Sequence, residues 1–566
     1  MDKLQKIKRI ETMQMMLFYL IIVFLVFNNI PKTISLGFIG GAVGNKLVIY
    51  PLIIGAILEG YYLYLRRKDG EEYTKEAKFM GIFILVFLLI NLVSLIHGML
   101  IFPYYDMILK GPKDQIMKLP TVLAFVNAHG IHISHQQLLK VWMTVRPLKG
   151  LLVNTFFTFG MAFLLFTWCR RKPSEYFELL LKGIIISSCI LVVYNLIEMM
   201  YLAHYSWAEK VLVTINPYIH LINDDGYTWP PILWKGQMRS VFDEPSHFGI
   251  YCAFAIPLLW CAFTKIRSIA YKSGIGFLIL FMTFCLFLAK TRTGFGIFLG
   301  ECVLLCILSI YVRNKKNIFH AIFILVLSGL AFAGSLGFIT HFENSPNIEN
   351  PMEMQDSAIK KRKSSQAPTK KESKPSNVKT KKESKPSNVN DDAKTAANKY
   401  VDSNLKSLAS KNQRSNNSRY SVMKADIETG MEHPILGVGS TFRSAYVSKK
   451  LASYENQGGH EVRMWLYRIR KLGILRTGIP ALGQYTTLFS TTGMLGLLAY
   501  LVLPVYLAYS YFKRIRNNRY NLPLIFTFIS FIGMLGAGVG STINSTYCYW
   551  LILAVGFALV LSHDNN

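Results

Sequence analysis

The sequence predicts an all-α polytopic membrane protein with about 12 transmembrane helices. Apolar residues make up 52% of the 566 residues, and the mean hydropathy is +0.31. These residues are gathered in blocks of about 18 to 25, the length that crosses a hydrocarbon core. Soluble domains disperse their apolar residues, so this clustering indicates a chain that crosses the bilayer many times.

Twelve apolar segments are candidate spans, and the charge of their connections orients them. The segments begin near Met15, Leu47, Lys78, Gly150, Leu179, Phe248, Ser273, Gly294, Ile318, Gln484, Leu522 and Tyr547. Alternate connections, among them CRRKPSEYFE, RNKKN and KRIRNNR, are rich in Lys and Arg. Cytoplasmic loops carry such an excess. Both termini are therefore predicted to be cytoplasmic.

This alternation leaves three large loops outside the cell, at residues 102–149, 203–247 and 341–483. The chain is accordingly divided into a membrane domain of nine spans, 1–340, and a second of three spans, 484–566. The large extracytoplasmic loop, 341–483, separates the two domains.

The third loop contains a low-complexity insert, residues 351–419, in front of a segment predicted to be ordered and catalytic, residues 420–483. The insert repeats TKKESKPSNV twice and holds 17 basic and 7 acidic residues, so its net charge is +10. Because large apolar residues are scarce, it is predicted to be disordered. It is interpreted either as a spacer or as a tether to anionic wall polymers or lipid headgroups.

The net charge of +29 does not indicate nucleic acid as a partner. Lys- and Arg-rich inner loops account for a basic balance in a polytopic protein. The eight cysteines lie in or beside apolar runs, and none lies between Phe342 and Gln484. This pattern excludes a disulfide framework and a CxxC metal motif in the polar region.

Arginines mark three of the predicted outer elements. Arg239 opens RSVFDEPSHFG at the entrance of the sixth span, and Arg292 lies in the turn TRTG between the seventh and eighth. Arg419 and Arg443 follow the insert. A guanidinium stays charged and matches pairs of phosphate oxygens, so convergence of these elements predicts a site for a lipid-linked diphosphate. The alternative is snorkelling of single arginines to lipid phosphate.

In combination, these motifs resemble the O-antigen ligase and Wzy-type polysaccharide polymerase superfamily. The resemblance rests on RSVFDEPSHFG, on TRTG, on the Arg419–Gly430 element with HPILGVG, and on QYTTLFSTTGMLG. It covers roughly residues 180–503, interrupted by the insert. It implies a multi-pass protein of the bacterial cytoplasmic membrane that transfers glycans at the outer face.

The resemblance implies that a glycan on undecaprenyl diphosphate is transferred to an incoming lipid-linked repeat, for capsule, exopolysaccharide or O-antigen. The residues predicted to be catalytic are Arg239 and Arg292 on the leaving diphosphate, Glu244 as the base, and His460 as an alternative base. The predicted substrate-binding residues are His247, itself another alternative base, and Arg419, Gly430, Gly437, Gly439 and Arg443. No cofactor or metal is required. A chain-length regulator and a flippase are the expected protein partners.

Three functions remain open from the sequence. Ligases of the superfamily usually carry a His-Asn pair shortly before the last Thr-Gly step, where this chain has Leu482 and Gly483. This departure favours a polymerase over a ligase. The interval from Arg239 to Gly249 is one residue shorter than the polymerase spacing. A flippase for the same lipid-linked sugars would need midplane charges and repeated halves, and no such duplication is evident.

Overall fold

The computed structural model describes residues 3–66, 75–221, 233, 236–342, 414–455, 459–517 and 521–561, except for the side chains of 41, 42, 316 and 414–416. Within these residues all regular structure is helical. The α-helices are α1 Lys3–Phe24, α2 Gly41–Gly44, α3 Ile49–Arg66, α4 Lys75–Ile101, α5 Tyr105–Leu109, α6 Leu119–Ala128, α7 His135–Thr155, α8 Met161–Arg171, α9 Pro173–Leu202, α10 Ser206–Ile219, α11 Pro245–Lys265, α12 Ile269–Leu288, α13 Arg292–Val312, α14 Lys315–Phe342, α15 Arg414–Glu432, α16 Arg443–Ser453, α17 Gly459–Leu472, α18 Gln484–Asn517, α19 Leu522–Gly540 and α20 Tyr547–Leu561.

Nine helical segments of the described chain are long and apolar enough to cross a membrane. They comprise α4, α7 with α8, α9, α11 to α14, α18 and α19. A π-helical turn at Phe156–Gly160 joins α7 to α8. The other three predicted spans correspond to α1, α3 and α20, which do not meet that criterion. The described part of the chain is thus all-helical, with several membrane-length helices, and the count of twelve and its orientation stay predictions.

Two helices, α11 and α20, lie in the middle of the bundle. Every residue of α11 from Phe248 to Phe263 is buried, and α20 is buried on all sides except near its end. A helix that is apolar all round needs such surroundings. α11 packs against α9, α12, α13 and α19, whereas α20 packs mainly against α8 and α19. The central position of α11 holds its N-terminus firmly.

A buried polar network fastens α1 and α3 to α8. The Arg171 guanidinium binds Glu59 Oε1 at 2.6 Å and Gln14 Oε1 at 2.8 Å. Gln14 and Trp168 both donate to Glu59 Oε2. A buried carboxylate costs little only when its partners are complete, and here every partner comes from another helix. Glu59 therefore serves helix packing.

The first and third predicted outer loops form one layer. Phe102, just after α4, packs on Phe442 with ring centroids 4.9 Å apart, and the Tyr446 hydroxyl donates to Ile101 O at 3.4 Å. Helices α15, α16 and α17 share a second apolar cluster that includes Val422, Val447 and Val462. Segments far apart in the sequence therefore build a shared helical layer beside the membrane-length helices, named here the loop layer.

The boundary predicted for the insert requires a correction. α15 begins at Arg414 and ends at Glu432, so residues 414–419, which were predicted to be disordered with the insert, are helical. The ordered segment therefore begins before residue 420, the boundary that the sequence predicted. The rest of the predicted insert, 351–413, lies outside the described residues.

Candidate functional site

The N-terminal turns of α11 and α13 cross in close contact. A Cβ added to Gly249 would lie 2.6 Å from Thr291 Oγ1 and 3.1 Å from Gly294 Cα. Only glycine permits this approach at both positions. The backbone N–H of Met238 also donates to Leu288 O at 3.2 Å, so the chain before α11 lies along the turn before α13. The predicted Arg239 and Arg292 elements are therefore neighbours.

Arg292 and Arg419 come together at this crossing. Arg292 is the first residue of α13. A Cβ added to Gly540 would lie 3.5 Å from Thr293 Oγ1 and 3.9 Å from Arg419 Nη1, so the Arg419 guanidinium in α15 lies beside the first turn of α13. The Arg419 guanidinium donates to Gly540 O at the end of α19. No carboxylate forms an ion pair with Arg419 within the described chain. Two adjacent cations beside a helix N-terminus favour an anion.

Arg239 is buried, with 1% of its area exposed. The backbone N–H groups of Arg239 and Ser240 donate to the two oxygens of Glu198, at 3.0 and 2.7 Å. Ser240 has a φ of +59°, an unfavourable value for serine, and the Glu198 carboxylate holds it there. The Arg239 guanidinium contacts the Tyr194 hydroxyl. Its predicted contact with substrate stays a prediction.

A small cavity beside the start of α11 holds a charged cluster. Asp243 Oδ1 accepts a hydrogen bond from His247 Nδ1, and both side chains line a cavity of about 60 Å³ together with Lys46. Burial by itself would raise the pKa of Asp243, but His247 and Lys46 lower it to about 2. Burial lowers the pKa of Lys46 more than Asp243 raises it. Asp243 is thus an ionised partner and a weak base.

Glu244 lies at the N-cap of α11. Its Oε2 accepts a hydrogen bond from Ser246 Oγ at 2.9 Å, and its side chain is partly exposed. Of the two neighbouring acids, Asp243 is held by the His247 ring, whereas Glu244 has a hydroxyl partner. Glu244 therefore remains the better candidate for accepting a proton.

Arg443 has a different environment from the other predicted arginines. Its Nε and Nη2 bind both carboxylate oxygens of Asp426, at 2.6 and 2.7 Å, and Nη1 donates to Ile479 O at 3.0 Å. Asp426 is fully buried and also accepts from Ser490 Oγ at 2.8 Å. These contacts fasten α16 to α15 and α18. The Arg443 guanidinium is therefore engaged within the fold, and its predicted contact with substrate stays a prediction.

The HPILGVG and STTGMLG motifs interlock. Val438 N donates to Ser490 O and Gly439 N to Thr491 O, both at 2.9 Å, across the kink that Gly493 makes in α18 with φ 64° and ψ −166°. The predicted Gly437 has a φ of +61°, and a Cβ there would lie 2.6 Å from Ser490 O. Gly439 also has a positive φ. These glycines are enclosed by backbone, which explains their presence without any contact to substrate.

The remaining predicted residues lie elsewhere in the loop layer. Gly430, in α15, faces the ring of Phe489, and a Cβ there would overlap it. His460 is the second residue of α17, which packs on α15 and α16. None of the contacts described above joins His460 to the crossing of α11 and α13, so its role as a base stays a prediction.

Several residues of this region lay outside the predicted site, among them Lys46, Asp426 and His220, which caps α10. His220 is 2% exposed, and its ring nitrogens have no hydrogen-bond partner within the described chain. Burial, reinforced by the charge of Arg239, lowers its pKa to about 3. A single lysine, aspartate or histidine outside a motif is not recognisable in the sequence as a site residue. Only its position in the folded protein identifies it.

The sequence was compared with models of known protein families and with curated proteins. The family model Wzy_C, described as O-Antigen ligase, matches residues 277–464. This match confirms the predicted resemblance over a segment that includes Arg292 and Arg419. A comparison with curated proteins gives no match. The chain is therefore similar, over this segment, to multi-pass membrane proteins of the glycan ligase or polymerase type.

Proposed function

We propose that this protein polymerises oligosaccharide repeat units carried on undecaprenyl diphosphate, at the outer face of a bacterial cytoplasmic membrane. The product would be a capsule, an exopolysaccharide or an O-antigen. A flippase that delivers the repeat units and a chain-length regulator are the expected partners. The reaction is glycosyl transfer without a metal or cofactor.

One observation carries this proposal: the Arg419 guanidinium, which donates to Gly540 O, lies beside the first turn of α13, where Arg292 is the first residue. Two guanidinium groups near one point attract an anion, and each provides paired donors to phosphate oxygens. The N-terminal turns of α11 and α13 add their partial positive charge at the same point. A diphosphate beside apolar helices satisfies this arrangement, because its lipid tail lies in the bilayer while its oxygens meet the arginines.

The chemistry needs positive charge where the leaving group forms. The bond between the anomeric carbon of the donor glycan and the diphosphate oxygen breaks, and its electron pair leaves with the diphosphate. A hydroxyl oxygen of the acceptor sugar bonds to the anomeric carbon, through an oxocarbenium-like state. Arg292 and Arg419 stabilise the new negative charge. The hydroxyl proton passes to Glu244 and then to water.

A ligase that transfers finished glycan to a lipid or wall acceptor is the second candidate. It is favoured by the description of the matching family model, O-Antigen ligase. Against it stand Leu482 and Gly483, at the position where ligases of the superfamily usually carry a His-Asn pair. Both reactions use the same donor diphosphate, so the arginine pair serves either one.

The sizes of surface and lipid-linked glycans in a deletion strain, with and without the restored gene, separate the candidates. Single repeat units on the outer leaflet with no long chains would support the polymerase. Long chains stranded on the lipid carrier would replace it with the ligase. Repeat units confined to the inner leaflet would mean a flippase, and would overturn the catalytic roles.

The site itself is tested with Arg292→Ala and Arg419→Ala in the restored gene. Removing one preorganised donor from a developing anion typically lowers the rate about 10²–10³-fold, so long chains should disappear while the protein stays in the membrane. The matched control is Arg470→Ala, since Arg470 forms an exposed ion pair with Glu455. Normal polymer from both site variants would contradict the proposal.

A further inference from the structure

A second cavity lies in the loop layer, apart from the arginine pair. Its volume is about 540 Å³, and its walls come from the segment before α6, from α7 and from the chain after α17. Ligand pockets in proteins typically measure about 300–1,000 Å³. The cavity is therefore large enough for a small ligand or a short stretch of a longer one.

Three cations surround this cavity. Lys118, Arg146 and Arg476 line it and are all exposed. None of them forms an ion pair within the described chain, and the one acid in the lining is Asp114. The three charges come from different segments of the sequence. Such a set attracts an anion, and its two guanidinium groups provide paired donors to carboxylate or phosphate oxygens.

An aromatic ring completes the wall. Trp142 lines the cavity and is only partly exposed, one turn before Arg146 on α7. It packs against the apolar cluster that includes Leu139 and Met143. A ring held by such a core keeps its position and offers a flat face with an N–H donor. A flat apolar face beside charged donors is suited to binding a sugar ring, which has an apolar face and hydroxyl groups at its edge.

The cavity wall is preorganised by Gln115. Its Nε2 donates to Ile108 O at 2.9 Å, and its Oε1 accepts from Leu475 N at 3.3 Å. Gly473 has a φ of +82°, and a Cβ there would overlap the Gln115 side chain. These contacts hold the segment after α17, which carries Arg476, against the first predicted outer loop, which carries Gln115.

The same segment connects the cavity to the scaffold around the arginine pair. Arg476 lies three residues before Ile479, whose carbonyl accepts from Arg443. Arg443 in turn binds Asp426 in α15, the helix that also carries Arg419. The cavity and the arginine pair are therefore attached to the same rigid layer.

We propose that this cavity binds an acidic segment of the glycan, one that carries carboxylate or phosphate groups on its sugars, while the reaction proceeds at Arg292 and Arg419. The assignment of the ligand as the reacting glycan rests on the proposed function. The cations bind the acidic groups, Trp142 stacks on a sugar ring, and Asp114 accepts hydroxyl hydrogen bonds. Binding away from the reacting end holds the chain without contributing to the chemistry.

The test measures binding calorimetrically with the full chain in phosphatidylcholine nanodiscs. The probes are tetragalacturonate, which is acidic, and maltotetraose, which is neutral. The wild type should bind tetragalacturonate at least about tenfold more tightly than maltotetraose, with a preference that weakens as salt rises. Equal affinity for the two probes, or no binding of tetragalacturonate, would overturn the proposal.

Variants locate the binding. Arg146→Gln with Arg476→Gln should weaken tetragalacturonate binding at least about tenfold, and Trp142→Ala should weaken it separately. The matched control is Arg463→Gln, an exposed arginine on α17 outside the cavity, which should bind as the wild type does. Wild-type affinity in the double variant would place the site elsewhere and refute the proposal.

Two further arms separate the possible explanations. Phosphatidylglycerol is added to the nanodiscs as a competing anionic lipid. If it abolishes tetragalacturonate binding by occupying Arg146 and Arg476, the cavity is a lipid-headgroup site and the glycan proposal is wrong. Arg292→Ala should bind tetragalacturonate normally. Intact binding by that variant, together with normal polymer from both Arg292→Ala and Arg419→Ala in cells, would reject the proposed role of the arginine pair and leave the cavity as an acidic-glycan site.

Discussion

Two arginine environments in the loop layer differ in their counter-charges. Arg443 has its guanidinium fully engaged, by both oxygens of the buried Asp426 and by a backbone carbonyl. Arg419 contacts the carbonyl of Gly540 and stands beside another cation, Arg292. The sequence predicted a substrate-binding role for both arginines. An arginine that is paired with a buried acid stabilises the fold. An arginine that lies beside a second cation favours binding of an anionic ligand.

The glycine contacts follow the same division. Gly437, Gly439 and Gly493 lock the scaffold around Arg443, whereas Gly249 and Gly294 bring together the helices that present Arg292. Changes in the scaffold should therefore reduce stability first and activity as a consequence. Changes at the arginine pair should reduce activity while stability is preserved.

The largest expected effect is that of Asp426→Ala, which leaves Arg443 buried without its partner. Breaking one side of a buried ion pair typically costs about 3–5 kcal/mol, so the free energy of unfolding should fall by that amount. Denaturant unfolding in detergent measures it.

Two matched variants sharpen this comparison. Glu432→Gln removes an ion pair with Lys450 in which the Glu432 side chain is 55% exposed, and should cost less than about 1 kcal/mol. Arg419→Gln should also change stability by less than about 1 kcal/mol, because it removes one of two repelling cations. Wild-type stability for Asp426→Ala would mean that the Arg443 pair does not support the scaffold.

A smaller loss is expected for Gly493→Ala. A Cβ at this position would overlap the carbonyl of Ile435, and its φ of +64° is unfavourable for alanine. Strained backbone of this kind costs about 1–3 kcal/mol, and thermal unfolding should report it. Gly81→Ala in α4 is the control, since nothing lies within 4 Å of its added Cβ. Equal melting temperatures for the two variants would show that the kink tolerates a side chain.

The smallest effect concerns pH and the Asp243–His247 pair, an acid and a cation that are partly exposed. The pKa of Asp243 is lowered to about 2 in the folded protein, so its contribution to stability is complete above its unfolded pKa near 4. That contribution is lost as the pH falls from about 4 towards 2. Wild type should lose more stability than Asp243→Asn over this range.

Melting curves of the two proteins between pH 5 and pH 3 test this, because more acidic solutions unfold many proteins outright. If the melting temperatures of the two proteins fall equally with pH, the contacts of Asp243 with His247 and Lys46 do not stabilise the fold. Glu244→Gln, which leaves the Asp243–His247 pair intact, should retain the wild-type slope.

The helical class and the arginine motifs were predictable because they depend on local features. Apolar runs of membrane length specify helices in lipid, where every backbone group must be satisfied within its own segment. Arg239, Arg292 and Arg419 were recognised from short motifs with fixed order. The boundary between the insert and the ordered segment was placed at residue 420, although α15 begins at Arg414, because its first turn has the same polar composition as the segment before it.

The sequence by itself determined which groups carry charge and which segments are helical, because both depend on covalent chemistry and on neighbours along the chain. Only the tertiary structure decided which arginine forms an ion pair with a buried acid. Asp426 meets Arg443, and Arg292 meets Arg419, across long sequence separations. Electrostatic interaction depends on distance in space and on burial, and the sequence order encodes neither quantity directly.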